Sequence, residues 1–275
     1  MSLWLAALLG LVQGLTEFIP VSSSAHLRLV PALLGKSDGG TAFTAVIQLG
    51  SLVAVVAYFW TDLVSVAGAV FSRPSTPEGR LPWLLAIGTI PLGVVGLLLK
   101  KHIEGDLRSL YVLASMFILF GLVIWIVDHL SSGRDTYRSL DQITLNDVIL
   151  IGLAQSLAVV PGVSRSGGTI CAALLLGFAR TDAARFSFLL SIPAIAASGS
   201  YEAYASIKAA PAAEIQMLVP AYIIGTAVAA VSSYGAIAWL MRFLTTHHFV
   251  GFAIYRIVLG LALFGALAAG LLVPR

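Results

Sequence analysis

The sequence predicts an all-α polytopic membrane protein with six transmembrane helices and two re-entrant helical hairpins, arranged as an inverted-topology repeat. Three observations predict this fold: an apolar composition, six long apolar windows and an internal repeat with polar tips. Of the 275 residues, 59% are hydrophobic and 11% are charged, and the mean hydropathy is +0.96. Because a typical soluble domain carries about 25% charged residues, this composition indicates a chain that resides in a lipid bilayer.

Six windows are apolar over the length that a helix needs to cross the hydrocarbon core of a bilayer. They cover residues of about 41–60, 81–99, 110–127, 184–201, 217–241 and 250–273. The polar connections at 72–80 and 128–147 are predicted to be extramembrane loops. Neither connection is long enough to fold as a second domain. We therefore predict one integral membrane domain over 1–275, with a first repeat of about 1–127 and a second of about 148–273.

Charge and cysteine content exclude other classes of protein. The net charge is +3, and the lysines and arginines are scattered over several loops. This pattern predicts no nucleic-acid partner. The single cysteine, Cys171, excludes an intrachain disulfide and a metal site built from several cysteines.

The internal repeat begins at Leu9 with "LGLVQGLTEFIPVSSSAH" and again at Ile151 with "IGLAQSLAVVPGVSRSGG", an offset of 142 residues (151 − 9). Ten of the 27 aligned positions from 9 to 35 are identical. Each copy consists of a short apolar helix, a break rich in Pro, Gly and Ser, and a second short apolar run that ends in glycine. This layout is typical of a re-entrant hairpin. Irregular backbone is tolerated at membrane depth only where protein or a watery cavity satisfies it.

The two hairpins are predicted to enter the membrane from opposite faces, because three apolar windows separate them. An inverted repeat of this kind brings the two breaks together near the midplane. Small residues at Gly10 and Gly14, and at Gly152 and Ser156, are expected to let the hairpin helices approach closely. The two faces receive similar numbers of lysines and arginines, so the positive-inside rule predicts no orientation.

The repeats differ at the positions that bear reactive groups. Glu17, Ser23 and His26 in the first copy align with Val159, Arg165 and Gly168 in the second. The first hairpin therefore contributes an acid and a histidine, and the second contributes a cation.

Glu17 is the only carboxylate that lies well inside an apolar segment, and such residues are costly enough to suggest function. The alternative is a structural hydrogen bond to a neighbouring helix. Arg165 is predicted to be its partner across the repeat. Arg165 also stands in a glycine-rich break, where backbone N–H groups and a guanidinium suit a phosphate. The alternative for Arg165 is snorkelling to the interface.

His26 is predicted to act as a general base or to protonate a leaving group. One of the serines in the first break is predicted to be a nucleophile activated by His26 or Glu17, while others cap the following helix. The residues predicted to bind substrate are Ser22, Ser24, Ser164, Ser166, Gly167, Gly168 and Thr169. Two further predictions concern polar residues near the last apolar window. The pair His247 and His248 lies at a membrane boundary, and Arg256 either snorkels or packs against a neighbouring helix.

These motifs resemble those of the BacA-type undecaprenyl pyrophosphate phosphatases. "QGLTEFIPVSSSAH" is similar to that family's (E/Q)xxxE block with its SS-x-x-H extension, and "PGVSRSGGT" is similar to its PGxSRSxxT block. The resemblance implies hydrolysis of undecaprenyl diphosphate to the monophosphate in the bacterial cytoplasmic membrane. This reaction recycles the lipid carrier of cell-wall polymers such as peptidoglycan and is associated with bacitracin resistance.

By position, the resemblance implies that Glu17, Ser23, His26 and Arg165 are catalytic. It also implies a divalent cation, Mg²⁺ or Ca²⁺, with Glu17 and Gln13 as ligands, and a site open to the outer face. Many members have Glu where this chain has Gln13, and an amide offers only a neutral oxygen. Attack by Ser23 and direct attack by water are both compatible with these residues. For the oligomeric state of the protein, we consider a homodimer.

The alternative function is a transporter or flippase of an anionic lipid or solute, because inverted repeats with broken helices are also typical of transporters. A purely structural scaffold is the third class. The cluster of Glu17, Ser23 and His26 favours an enzyme, because a site that only binds an anion gains nothing from a buried carboxylate beside a nucleophile.

Overall fold

The fold, taken from a computed structural model, is described for residues 1–36, 39–104, 109–209 and 212–272. Over these ranges it is helical, without a β-strand. A lone bridge pairs Arg138 with Phe178. The helices are α1 (Leu3–Glu17), α2 (Ser23–Leu33), α3 (Gly40–Tyr58), α4 (Trp60–Ser72), α5 (Pro77–Glu104), α6 (Leu110–Ser131), α7 (Leu145–Ser156), α8 (Arg165–Leu175), α9 (Arg180–Ala209), α10 (Ala212–Phe243) and α11 (Val250–Ala268).

Four helical segments in the described ranges are long and apolar enough to cross a membrane: Pro77–Leu99, Leu110–Ser131, Leu218–Phe243 and Val250–Ala268. A fifth candidate is the pair Ala42–Tyr58 and Trp60–Ser72, which is bent by 74°. These segments cover five of the six predicted windows. The sixth window, 184–201, lies within α9. That helix is long enough to cross a membrane, but it carries Arg185 and several serines and is not among the described segments apolar enough to be a candidate span.

Two hairpins of short helices, α1 with α2 and α7 with α8, correspond to the two copies of the sequence repeat. The helices of each hairpin pack against each other. Ser22 and Ser164, the residues that precede α2 and α8, have φ angles of 74° and 73°. They are the only described residues other than glycine with positive φ. The repeat therefore extends to an unfavourable backbone conformation at each tip, a feature that tends to mark functional sites.

Each hairpin packs against a long helix of the other half, α1 on α10 and α7 on α5. A side chain at Gly10 would overlap the carbonyl group of Gly225, and one at Gly152 would meet the carbonyl group of Gly88. Both contacted glycines lie in an Ile-Gly-Thr tripeptide, at 87–89 and 224–226. The expectation that these small residues permit close helix packing is therefore confirmed at Gly10 and Gly152. The close packing at these glycines joins each hairpin to a long helix of the other half.

Three further helix pairs, α3 with α9, α3 with α10 and α6 with α11, also join the two halves. The pair α6 with α11 shows how closely they pack. In this pair, Gly121 lies against the carbonyl oxygen of Ala253, and Gly260 lies against that of Ala114. Each helix thus presents a glycine to the other's alanine, and in both helices the glycine follows the alanine by seven residues (121 − 114 and 260 − 253). The two halves interlock through matching contacts.

Ion pairs join several helix ends on one side of the molecule. Asp128 at the end of α6 accepts a 2.8 Å hydrogen bond from Arg180 at the start of α9. His248, before α11, lies 2.7 Å from the Arg180 guanidinium through Nδ1. In the preceding loop, Arg138 pairs with Asp147 at 2.7 Å. This hydrogen bond raises the pKa of Arg138, so the guanidinium stays charged.

Candidate active site

Glu17, the last residue of α1, is the centre of the polar contacts between the hairpins. Its side chain is 3% exposed. One carboxylate oxygen accepts from Arg165 at 2.6 Å and from Gln48 at 3.1 Å. The other accepts from Ser23 at 2.5 Å and from Gln13 at 2.8 Å. Four donors therefore hold a carboxylate that would be costly to bury alone.

The contact between Glu17 and Arg165 joins residues 148 positions apart and confirms the predicted partnership across the repeat. Ser23 and Arg165 are the first residues of α2 and α8. Both helices therefore begin beside Glu17. Helix N-termini carry a partial positive charge, so they add to the charge of Arg165. The combined potential suits an anionic group larger than one carboxylate.

In the first tip, Ser23 and Ser24 reach the surface, whereas Ser22 is buried. The Ser22 hydroxyl lies 3.3 Å from that of Ser24. His26 is 7% exposed and directs its ring nitrogens to the Ser22 carbonyl oxygen and to the Tyr255 hydroxyl. Of the two bases predicted to activate a serine, Glu17 is therefore the one in contact with Ser23. Within the described residues His26 makes no hydrogen bond to Glu17 or to Ser23.

In the second tip, the predicted hydroxyl ligands are engaged within the protein. Ser164 caps α8 by accepting from the Gly167 N–H at 3.1 Å, which confirms capping for one of these residues. Ser166 donates to the carbonyl oxygen of Ile19, and Thr169 lies 2.6 Å from Ser187 of α9. These contacts fix the shape of the tip. The binding of substrate by these three hydroxyls stays a prediction.

The glycines of the second tip allow close packing. A side chain at Gly168 would approach the carbonyl oxygen of Ala154 in α7 to 3.0 Å, and one at Gly167 would approach Ser164 to 3.3 Å. Binding of substrate by Gly167 and Gly168, and by the buried Ser22 and the exposed Ser24 in the first tip, also stays a prediction.

Arg256 in α11 ties the two tips together. It is fully buried and donates to the carbonyl oxygens of Pro20 at 3.2 Å, Gly162 at 2.6 Å and Met116 at 3.1 Å. Pro20 and Gly162 are equivalent positions of the repeat (162 − 20 = 142). Of its two predicted alternatives, helix packing is therefore correct and snorkelling is wrong.

Three contributors to the site escaped the sequence analysis: Gln48, Tyr255 and the link made by Arg256. Gln48 is a polar residue within the apolar window 41–60, and Tyr255 directly precedes Arg256 in the last window, 250–273. Both were visible as polar exceptions in apolar helices. Their partners lie too far away in the chain for spacing alone to reveal.

Comparison with known proteins adds independent observations. The family described as Bacitracin resistance protein BacA matches residues 6–262. The undecaprenyl-diphosphatase of Micrococcus luteus is 47% identical over 98% of this chain and 99% of that protein. Proteins of the same name are 44% identical in Prosthecochloris aestuarii, over 98% of this chain and 99% of the relative, and 46% identical in Myxococcus xanthus, over 100% and 92%.

The chain belongs to the BacA family. The resemblance in the two tip motifs is thereby confirmed over nearly the whole chain. Together with the apolar helices, membership shows that this protein is a multi-pass membrane protein.

The donor set around Glu17 does not form a ready metal cage. The described part of the chain holds no group of three or more His, Cys, Asp or Glu residues able to bind a metal ion. Both Glu17 oxygens already accept hydrogen bonds, and Gln13 turns its amide nitrogen toward them, 2.8 Å from one oxygen. Mg²⁺ is commonly bound by one or two carboxylates together with substrate phosphates. The residues suit a cation that arrives with a phosphate ligand.

Proposed function

We propose that this protein hydrolyses undecaprenyl diphosphate to undecaprenyl phosphate and inorganic phosphate. The observation that carries the proposal is the line of contacts from Ser23 to Glu17 to Arg165, which supports their proposed roles as nucleophile, base and phosphate-binding cation. The names of the BacA relatives support the substrate. Those names give no support to the transporter alternative.

Ser23 is proposed as the nucleophile. Its hydroxyl donates to Glu17 at 2.5 Å, so the carboxylate can take the proton as the serine oxygen attacks the terminal phosphorus. The new Oγ–P bond replaces the P–O bond to the bridging oxygen, and the prenyl monophosphate leaves. Glu17 releases the serine proton to solvent, and water then cleaves the Oγ–P bond of the phosphoserine to give phosphate, with the Glu17 carboxylate again acting as the base.

Arg165 is proposed to hold the terminal phosphate. Its side chain is 14% exposed, and one of its nitrogens binds Glu17. A guanidinium has five N–H donors, so others remain for phosphate oxygens. Charge that develops on the phosphoryl oxygens would lie near the first turns of α2 and α8, where it is stabilised.

A divalent cation, Mg²⁺ or Ca²⁺, is proposed to enter with the diphosphate. It would neutralise phosphate charge, with Glu17 as the protein carboxylate. Gln13 would become a ligand if its amide rotated to present oxygen, because the nitrogen now faces Glu17.

The proposed membrane arrangement has six spans and two re-entrant hairpins, with the two repeats related as an inverted pair. The length of the short helices supports it: α1 has 15 residues and α7 has 12. At 1.5 Å per residue they extend about 22 and 18 Å, less than a core of about 30 Å. In this arrangement α6 ends, and α9 and α11 begin, at the same face. The cluster of Asp128, Arg180 and His248 supports this.

Labelling with a membrane-impermeant thiol reagent tests the arrangement. The background is Cys171→Ala, because Cys171 is the only cysteine. Lys36→Cys, after the first hairpin, should be labelled from the face opposite to Arg134→Cys, before the second. Labelling of both from one face would contradict the inverted repeat. We expect the protein to lie in the bacterial cytoplasmic membrane, with its site open to the outer face. The homodimer also stays a prediction.

Phosphate release from undecaprenyl diphosphate by the purified protein tests the function. Wild type should release phosphate with added Mg²⁺ or Ca²⁺, and Ser23→Ala should lose about 10³-fold or more. Ser115→Ala is the control, because among the described residues its exposed hydroxyl donates to the carbonyl oxygen of Tyr111 in the same helix, α6. If wild type released no phosphate but moved intact lipid across a vesicle membrane, a flippase would replace the phosphatase.

A further inference from the structure

The His26 imidazole is held by both ring nitrogens. Nδ1 lies 2.8 Å from the Ser22 carbonyl oxygen, and Nε2 lies 2.7 Å from the Tyr255 hydroxyl. A carbonyl oxygen only accepts hydrogen bonds, so Nδ1 carries the proton in the neutral ring. Nε2 then has a free lone pair and accepts from the tyrosine O–H. The two contacts together select one tautomer.

The surroundings of His26 leave it little freedom to turn. The Phe117 ring packs against it edge-on at 5.6 Å, and the Tyr255 ring lies nearly parallel to it, with 9° between the planes. A charged group also lies beside this cluster: the guanidinium carbon of Arg256 is 5.5 Å from the centre of the Phe117 ring. Nε2, the nitrogen not bound to backbone, has its partner in Tyr255.

We propose that Tyr255 is the positioning residue for His26, and that it acts on the reaction through this imidazole without contacting substrate. The proposal rests on the hydrolysis proposed above. A tyrosine hydroxyl is both a donor and an acceptor. It donates to Nε2 of the neutral ring and accepts from Nε2–H of the protonated ring. His26 can therefore gain a proton at Nε2 while its ring stays in place, and it delivers that proton when Nε2–H exchanges the Tyr255 hydroxyl for the leaving oxygen as its acceptor.

Tyr255 is suited to this role by its place in α11. The residue is 45% exposed on the surface of the helix, and its hydroxyl contacts the buried histidine at the first tip. Tyr234 of α10 is exposed to a similar extent, 47%, and its hydroxyl makes no hydrogen bond within the described residues. Tyr234→Phe is therefore the matched control for Tyr255→Phe.

The test is a cycle of four proteins in the phosphate-release assay: wild type, Tyr255→Phe, His26→Ala and the double variant. Tyr255→Phe should lower kcat about tenfold or more with KM within about twofold. In the His26→Ala background the same change should cause no further loss, because coupled residues are not additive. Tyr234→Phe should match wild type.

Three results would overturn the proposal: wild-type kcat in Tyr255→Phe, an equal loss in both backgrounds, or the other tautomer in wild type. The last is measured by ¹⁵N NMR of the imidazole, which does not depend on whether the variant folds. The expected spectrum shows Nδ1 protonated and Nε2 as a hydrogen-bonded acceptor. Absence of phosphate release by wild type would instead remove the proposed function.

Discussion

The two hairpins have the same backbone layout but carry different reactive side chains. Each tip has a serine of positive φ before its second helix, and in each a second serine lies 3.2 to 3.3 Å from the first. The first hairpin adds Glu17, Ser23 and His26, whereas the second adds Arg165 and glycines. Two copies of one backbone layout thus bring together Ser23, Glu17 and Arg165, the residues proposed as nucleophile, base and phosphate-binding cation. Neither hairpin holds a complete set.

The largest effect is expected from Glu17, which links the two hairpins. Glu17→Gln keeps the shape but removes the base and leaves Arg165 without a counter-charge. We expect kcat to fall about 10³-fold or more in the phosphate-release assay. Glu78→Gln, on an exposed carboxylate at the start of α5, is the control. Retention of a tenth of the wild-type rate would show that Glu17 is not the base.

The cation of the second hairpin is expected to rank next. Arg165→Lys keeps the charge but loses the planar fork that can hold Glu17 and phosphate at once. A loss of about 10²-fold in kcat/KM is expected, with a clear rise in KM. Arg185→Lys is the control, since Arg185 pairs with Asp62 and not with Glu17. An unchanged KM would argue against phosphate binding by Arg165.

The link between the tips is tested at Arg256. Arg256→Leu leaves the carbonyl groups of Pro20, Gly162 and Met116 without their donor. A loss of roughly 3 kcal/mol of stability is expected, seen as a lower midpoint of thermal unfolding in detergent. Arg256→Lys should fall between this variant and wild type. A midpoint equal to that of wild type in Arg256→Leu would show that the tips are held by packing alone.

Metal addition separates a preformed cation site from one completed by substrate. Because four donors already occupy Glu17, Mg²⁺ alone should leave the unfolding midpoint unchanged. Mg²⁺ with inorganic pyrophosphate should raise it, and EDTA should reverse that rise. A rise with Mg²⁺ alone would reveal a protein cage at the first hairpin.

The smallest effect compares the two equivalent serines. Ser164 caps α8 with its side chain, whereas Ser22 makes no such bond to α2. Ser164→Ala should therefore lower stability by about 1 kcal/mol, and Ser22→Ala by less, as measured by thermal unfolding. Equal losses would mean that the cap is not what distinguishes the tips.

The sequence was sufficient to predict the helical class, both hairpins and the pairing of Glu17 with Arg165. The offset of 142 residues aligned the tips, and a buried carboxylate needs a counter-charge. The 74° bend after Tyr58 could not be predicted, because Tyr58, Phe59 and Trp60 include neither proline nor glycine. Arg256 was visible as a charge in an apolar helix, but its backbone carbonyl partners carry no sequence signal.

Glu17 and Arg165 join the two hairpins, and we infer that through them the hairpins form one site. The most direct measurement is kcat/KM for phosphate release by wild type, Glu17→Gln, Arg165→Lys and the double variant. If the residues act as a unit, the double variant should lose about as much as Glu17→Gln alone. If its loss equals the product of the two single losses, each residue acts independently, and the account of one shared site is contradicted.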